Sequence, residues 1–129
     1  MRVQPEHFQF VTTVEKTLPG ADGWREACIH ANMLNMATKE SFVCKFGIGM
    51  PIETEAVGPI SNSLAQRISA DCANQAADIV IGSATAATTP GLACESFKRT
   101  FHKVLNKAVQ GSRVGTLCHA MTSPVKIGF

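Results

Sequence analysis

The side chains best suited to chemistry in this 129-residue sequence are five cysteines, at 28, 44, 72, 94 and 118, and four histidines, at 7, 30, 102 and 119. A thiol becomes a nucleophile when a histidine takes its proton and a third group orients the imidazole. Two places bring thiol and imidazole close along the chain: Cys118 beside His119, and Cys28 two residues before His30. Neighbours on an extended strand point to opposite faces. Cys118 is therefore expected to look to His102 or His30, brought close by folding. No local cysteine-enzyme signature surrounds either thiol. Cys118, His119, His102, Cys28 and His30 are the residues from which a thiol-dependent hydrolase or transferase would draw.

Other site chemistry has less to stand on. The cysteines are 16, 28, 22 and 24 residues apart, with no C-x-x-C pair, so neither a zinc ribbon nor a thioredoxin-like motif is available. The histidines are scattered, and Cys28 and His30 on a helix would not share a face. No metal site and no cofactor is expected. Glu53 and Glu55 share a parity in an acidic loop, where solvation explains them better than catalysis. Gly47-Ile48-Gly49 opens like a dinucleotide fingerprint, but Ile52 stands where the third glycine belongs and Pro51 intervenes. Neither a G-x-x-x-x-G-K-[ST] loop nor a G-x-S-x-G elbow occurs.

The cysteines have a simpler use. Cys28, Cys44, Cys72 and Cys94 each fall on the apolar face of an expected element, as small hydrophobic core fillers do. Reduced thiols packed in a core fit a cytoplasmic protein. Disulfides in an exported protein whose signal peptide has been removed are the alternative. An odd count cannot all pair within one chain, and spacing leaves the connectivity open.

Charge is distributed unevenly. Met1 to Asp78 carries nine acids and six bases, a net −3; Ile79 to Phe129 carries six bases against Glu95 alone, a net +5. A polarised chain can steer an acidic partner or pair with its own kind. Arg99, Lys103 and Lys107 step by four along one helix face, Lys98 and His102 flank them, and Arg113 follows. These six form the expected binding surface. Nucleic acid is the less favoured partner, because no tyrosine and one tryptophan leave few aromatics to interleave with the bases. The longest uncharged stretch, Ile79 to Cys94, is too short and polar for a membrane span.

These residues must be held by a single domain over 1–129, with enough apolar content, 45%, for one core. Phe8 to Thr17 reads as a strand ended by Pro19-Gly20. Asp22 caps an expected helix to about Lys39, on the spacing of Trp24, Ala27, Cys28, Ala31 and Leu34. Phe42, Cys44, Phe46, Ile48 and Met50 alternate as a half-buried strand stopped by Pro51. Gly58-Pro59, or Ser61 as cap, opens a second helix carrying Leu64, Ile68, Cys72, Ala76 and Ile79 in an apolar row, with Gly82 as its stop. After a turn at Thr88 to Gly91, a third helix runs from about Leu92 to Gln110, buries Phe97 and Phe101, and is closed by Gly111. Val114 to Met121, and Val125 to Phe129, return to extended signals. The expected fold is α+β, about three helices packed on a small antiparallel sheet in the order β-α-β-α-α-β. The expected function is a small non-enzymatic binding or assembly domain, its basic carboxy-terminal region facing an acidic protein surface or a second copy.

Overall fold

The computed structural model describes residues 8–14, 18–19, 24–35, 40–81, 90–115 and 125–127. Along the chain these form β1 (Phe8–Val14), β2 (Leu18–Pro19), β3 (Trp24–Asn35), β4 (Glu40–Pro51), β5 (Glu53–Thr54), β6 (Gly58–Pro59), α1 (Asn62–Ile81), α2 (Pro90–Ala108), β7 (Arg113–Gly115) and β8 (Val125–Ile127). The fold is mixed α+β with two helices, not three, among the described residues, and four strand segments precede the β5–β6 hairpin and the helices.

The correction lies at Asp22 to Lys39, whose described part is the strand β3. Two apolar patterns coexist there. The helical set is Trp24, Ala27, Cys28, Ala31 and Leu34; the period-two set is Ala27, Ile29, Ala31 and Met33. The second set is the buried one. Alanine, leucine, methionine and glutamate in this stretch favour a helix locally, but that preference amounts to tenths of a kcal/mol per residue. It is overridden by pairing on both edges. β3 runs antiparallel to β4 in unbroken register from Trp24↔Pro51 to Asn35↔Glu40, and to β1 from Phe8↔Asn35 to Val14↔Ile29.

The main sheet has the order β1-β3-β4-β7, with β2 also on β3 and β8 also on β4. β5 and β6 make a separate small hairpin. Gly58 turns its corner with φ +78°, and the Val57 amide donates to Thr54 Oγ1 at 3.1 Å. Strand alternation puts Ala27, Ile29, Ala31 and Met33 of β3 on the same face as Cys44, Phe46, Ile48 and Met50 of β4. Both helices cover that face, α1 over β1 and β3, α2 over β4 and β7.

α1 starts where Ser61 Oγ accepts from the Leu64 amide at 3.1 Å, so Ser61 is the N-cap and Pro59 belongs to β6. Its alanines at 65, 73, 76 and 77 are buried, which lets the sheet and α2 approach closely. α2 begins at Pro90, whose missing N–H suits a first turn. Pro90 and Gly91 are thus helical, while Gly82, Thr88 and Thr89 lie outside the described residues. Beyond the helix end, Gly111 takes φ +84°, a left-handed conformation that glycine adopts without a Cβ penalty. Phe97 and Phe101 of α2 meet Phe46 of β4 edge to face, with centroids 5.7 and 5.5 Å away. All three rings are buried and form the centre of the core.

The cysteines divide. Cys72 is a buried free thiol on α1. Cys44 and Cys94 are buried too, but they are joined in a disulfide rather than being reduced core fillers. The packing of α2 on β4 brings their Cα atoms to 5.5 Å, within the range a bond requires, although 50 residues separate them in sequence.

Candidate functional site

α2 buries Ala93, Cys94, Phe97, Phe101 and Leu105, and this inward stripe fixes what the helix presents outward. Arg99, His102, Lys103 and Lys107 are exposed, and Lys98 is half-buried. Among the described residues, none of these cations forms an ion pair. The one carboxylate on the same helix, Glu95, is exposed at its start. Side chains four apart on a helix sit about 6 Å apart along the axis. Arg99, Lys103 and Lys107 are therefore a short ladder of solvated charge with unused donors.

Two hollows flank this ladder. The larger is an open groove of about 990 Å³ where the end of α1 meets the second half of α2. Ile79, Thr100 and Val104 line it together with His102, Lys103 and Lys107, and among the described residues no carboxylate lines it. The smaller, about 210 Å³, lies between α2 and β7 and is lined by Glu95, Lys98, Arg99, His102 and Val114. Ile79, at the end of the expected apolar row of α1, is 55% exposed. The row does point it toward α2, but α2 does not close over it. That is a tertiary fact with no counterpart in helical spacing.

Arg113 stands apart from the ladder. It follows α2 in sequence, but its side chain leaves β7 on the face of the sheet that the helices do not cover. There Arg113 Nη2 is 2.9 Å from Glu26 Oε1, and its Cζ lies 4.3 Å from the centre of the Trp24 ring. The backbone register explains the meeting: Glu26 pairs with Gly49 on β4, and Gly49 pairs with Arg113 on β7. A side chain on Gly49 would fill the space, since an added Cβ would come within 2.9 Å of Arg113 Nε. One charge of the basic half is thus paired with one of the acidic half inside the fold. The signal for this was Trp24 and Glu26 sharing a parity, which counts only once the segment is a strand.

The thiol candidates are also rearranged. Because β3 is a strand, Cys28 and His30 do share a face, the one opposite the helices. Cys28 is half-buried and pairs in register with Gly47, which pairs in turn with Gly115. His30 pairs with Lys45 on one side and Thr13 on the other. His102 lies on the outer side of the helical layer, so the sheet and its core separate it from Cys28 and His30. Cys118, His119 and His7 lie outside the described residues. Burial pushes the Cys72 thiol up to about 11, and the charge of Asp71 adds to the effect, so it is protonated at neutral pH and a poor nucleophile.

The remaining motifs are placed plainly. Glu53 and Glu55 are exposed around the β5–β6 turn. Gly47-Ile48-Gly49 is the middle of β4, paired on both edges, where it cannot open a helix under a phosphate. Among the described residues no group of three or more His, Cys, Asp or Glu side chains could hold a metal ion, and no helix is long and apolar enough to cross a membrane. Comparison with protein-family models, with curated proteins and with solved structures finds no match for this chain.

Proposed function

We propose that this chain is a binding or assembly domain that presents the outer face of α2 to an acidic protein surface. One observation carries the reading: Arg99, His102, Lys103 and Lys107 stand exposed on one helix, beyond a core that needs none of them, with no ion pair among the described residues. Charges held on a rigid helix raise the encounter rate with an acidic partner and select against basic ones. A second copy, through its acidic first half, is one form such a partner can take. The Cys44–Cys94 bond supports a setting where disulfides persist over the reducing cytoplasm.

Titration of polyglutamate into the protein at low and high salt, read by fluorescence anisotropy, tests this. Binding should weaken as salt rises and fall about tenfold in Lys103→Glu/Lys107→Glu, an effect of about 1.4 kcal/mol. Binding that ignores salt, or that survives the double reversal, would remove the electrostatic account. Tighter binding of duplex DNA than of polyglutamate would favour the nucleic-acid alternative. Sedimentation velocity of the protein alone reports whether a second copy is the partner.

A second reading, a thiol-dependent hydrolase or transferase, gains support from Cys28 and His30 sharing one face of β3. It requires the Cys28 thiol to react with iodoacetamide far faster than Cys72, with a His30→Asn variant slowing it. Equal, sluggish alkylation of both would remove it.

A further inference from the structure

The larger groove beside the basic ladder has a composition that charge alone does not explain. Its described lining brings the aliphatic side chains of Ile79, at the end of α1, and Val104, on α2, together with Lys103, Lys107 and His102, beside the uncharged polar side chains of Thr100, Asn106 and Gln110. Ile79 is 55% exposed, whereas Leu64, Ala65, Ile68, Cys72, Ala73, Ala76, Ala77 and Val80 of the same helix are buried or half-buried. Lysine stems cover apolar surface while their ammonium groups reach for water, so the two lysines add aliphatic surface to that of Ile79 and Val104 and end it in positive charge. Among the described residues, the lining contains no acid to neutralise them.

We infer that this groove binds an acidic peptide segment of a partner protein carrying an aliphatic anchor, its leucine-like side chain against Ile79 and Val104, its flanking carboxylates at Lys103 and Lys107. The inference rests on reading α2 as the binding face and says what that face recognises. Charge complementarity selects the occupant: a purely apolar segment leaves the ammonium groups unanswered, and a purely acidic one leaves Ile79 in water. Lys103 and Lys107 are one helical turn apart, about 6 Å along the axis. Carboxylates four residues apart on an incoming helix, or two apart on an extended segment, match that spacing. Apolar contact fixes the register of the segment, and the lysines hold its flanking carboxylates.

The test uses the full chain and two short fluorescein-labelled peptides. One has leucines flanked by glutamates; in the other, serines replace the leucines. The leucine peptide should bind about tenfold tighter than the serine peptide, a difference of about 1.4 kcal/mol. Ile79→Ser should reduce leucine-peptide binding to the level of the serine peptide; Ile79 is 55% exposed, so the fold tolerates the change. Lys103→Glu/Lys107→Glu should weaken both peptides. If the two peptides bind alike and Ile79→Ser changes nothing, the groove inference fails while the charged-face reading stands. If neither peptide binds at low salt, both fail. If anionic vesicles or duplex DNA displace the leucine peptide while polyglutamate does not, the occupant is not an acidic protein segment.

Discussion

Breaking the Cys44–Cys94 bond should lower the unfolding free energy by about 4 kcal/mol. The two cysteines close a segment of 50 residues that includes the β5–β6 hairpin and all of α1. In the chain-entropy treatment, a loop of that length removes about 14 cal/mol/K from the unfolded ensemble, which is about 4 kcal/mol at room temperature. Reduction tests this more cleanly than substitution. The sulfur atoms stay in the core, and the Cys44 Sγ lies 3.7 Å from the Cys94 carbonyl oxygen, so a thiol formed there has an acceptor to donate to. Packing is retained, and the covalent constraint is the main thing lost. Urea unfolding with and without reductant is the assay. With a urea slope of about 2 kcal/mol/M for a chain of this size, the midpoint should drop by roughly 2 M. The double variant Cys44→Ala/Cys94→Ala should fall further, because it also leaves small cavities at two buried positions. Coincident unfolding curves for oxidised and reduced protein would refute the reasoning, as would an unaltered mass on alkylation after reduction.

Cys72 gives a pH signature of known sign. Its thiol is raised from the ordinary 9.0 to about 11 in the fold, first by burial and then by Asp71. The folded chain holds that proton more tightly than the unfolded one, so the contribution is complete below pH 9 and is lost as pH rises from 9 toward 11. Urea melts across that window should show a decline that Cys72→Ala flattens; equal slopes would contradict the assignment. Gly49→Ala should cost about 1–2 kcal/mol, because the new methyl group would push Arg113 off Trp24 and Glu26. In an Arg113→Ala background the same change should cost much less, and a double-mutant cycle showing simple additivity would mean the contact is not as described.

Much of the arrangement was legible along the chain, and the reasons are local. Alternation from Phe42 to Met50 is a period-two pattern with glycines on the other face, and β4 follows it. Both described helices lie where apolar spacing, Ser61 and the Gly111 stop put them. The basic row on α2 was legible for the same reason: once Phe97, Phe101 and Leu105 face inward, helical geometry dictates that Arg99, Lys103 and Lys107 face out. β3 differs from the helix its spacing predicts because two periodicities share the same residues, and only the presence of β1 and β4 on its edges decides between them.

What the sequence determined by itself, then, is the identity of each element with one dominant periodicity, and the charge that its outer face carries. Tertiary structure alone decided which residues separated along the chain meet. It joined Cys44 to Cys94, turned Arg113 away from the other cations onto Trp24 and Glu26, put Cys28 and His30 on one face, and left Ile79 open beside Lys103 and Lys107. The physical reason is range: periodicity expresses the geometry of a backbone over a few residues, whereas pairing, bonding and exposure depend on which surfaces the whole chain brings into contact.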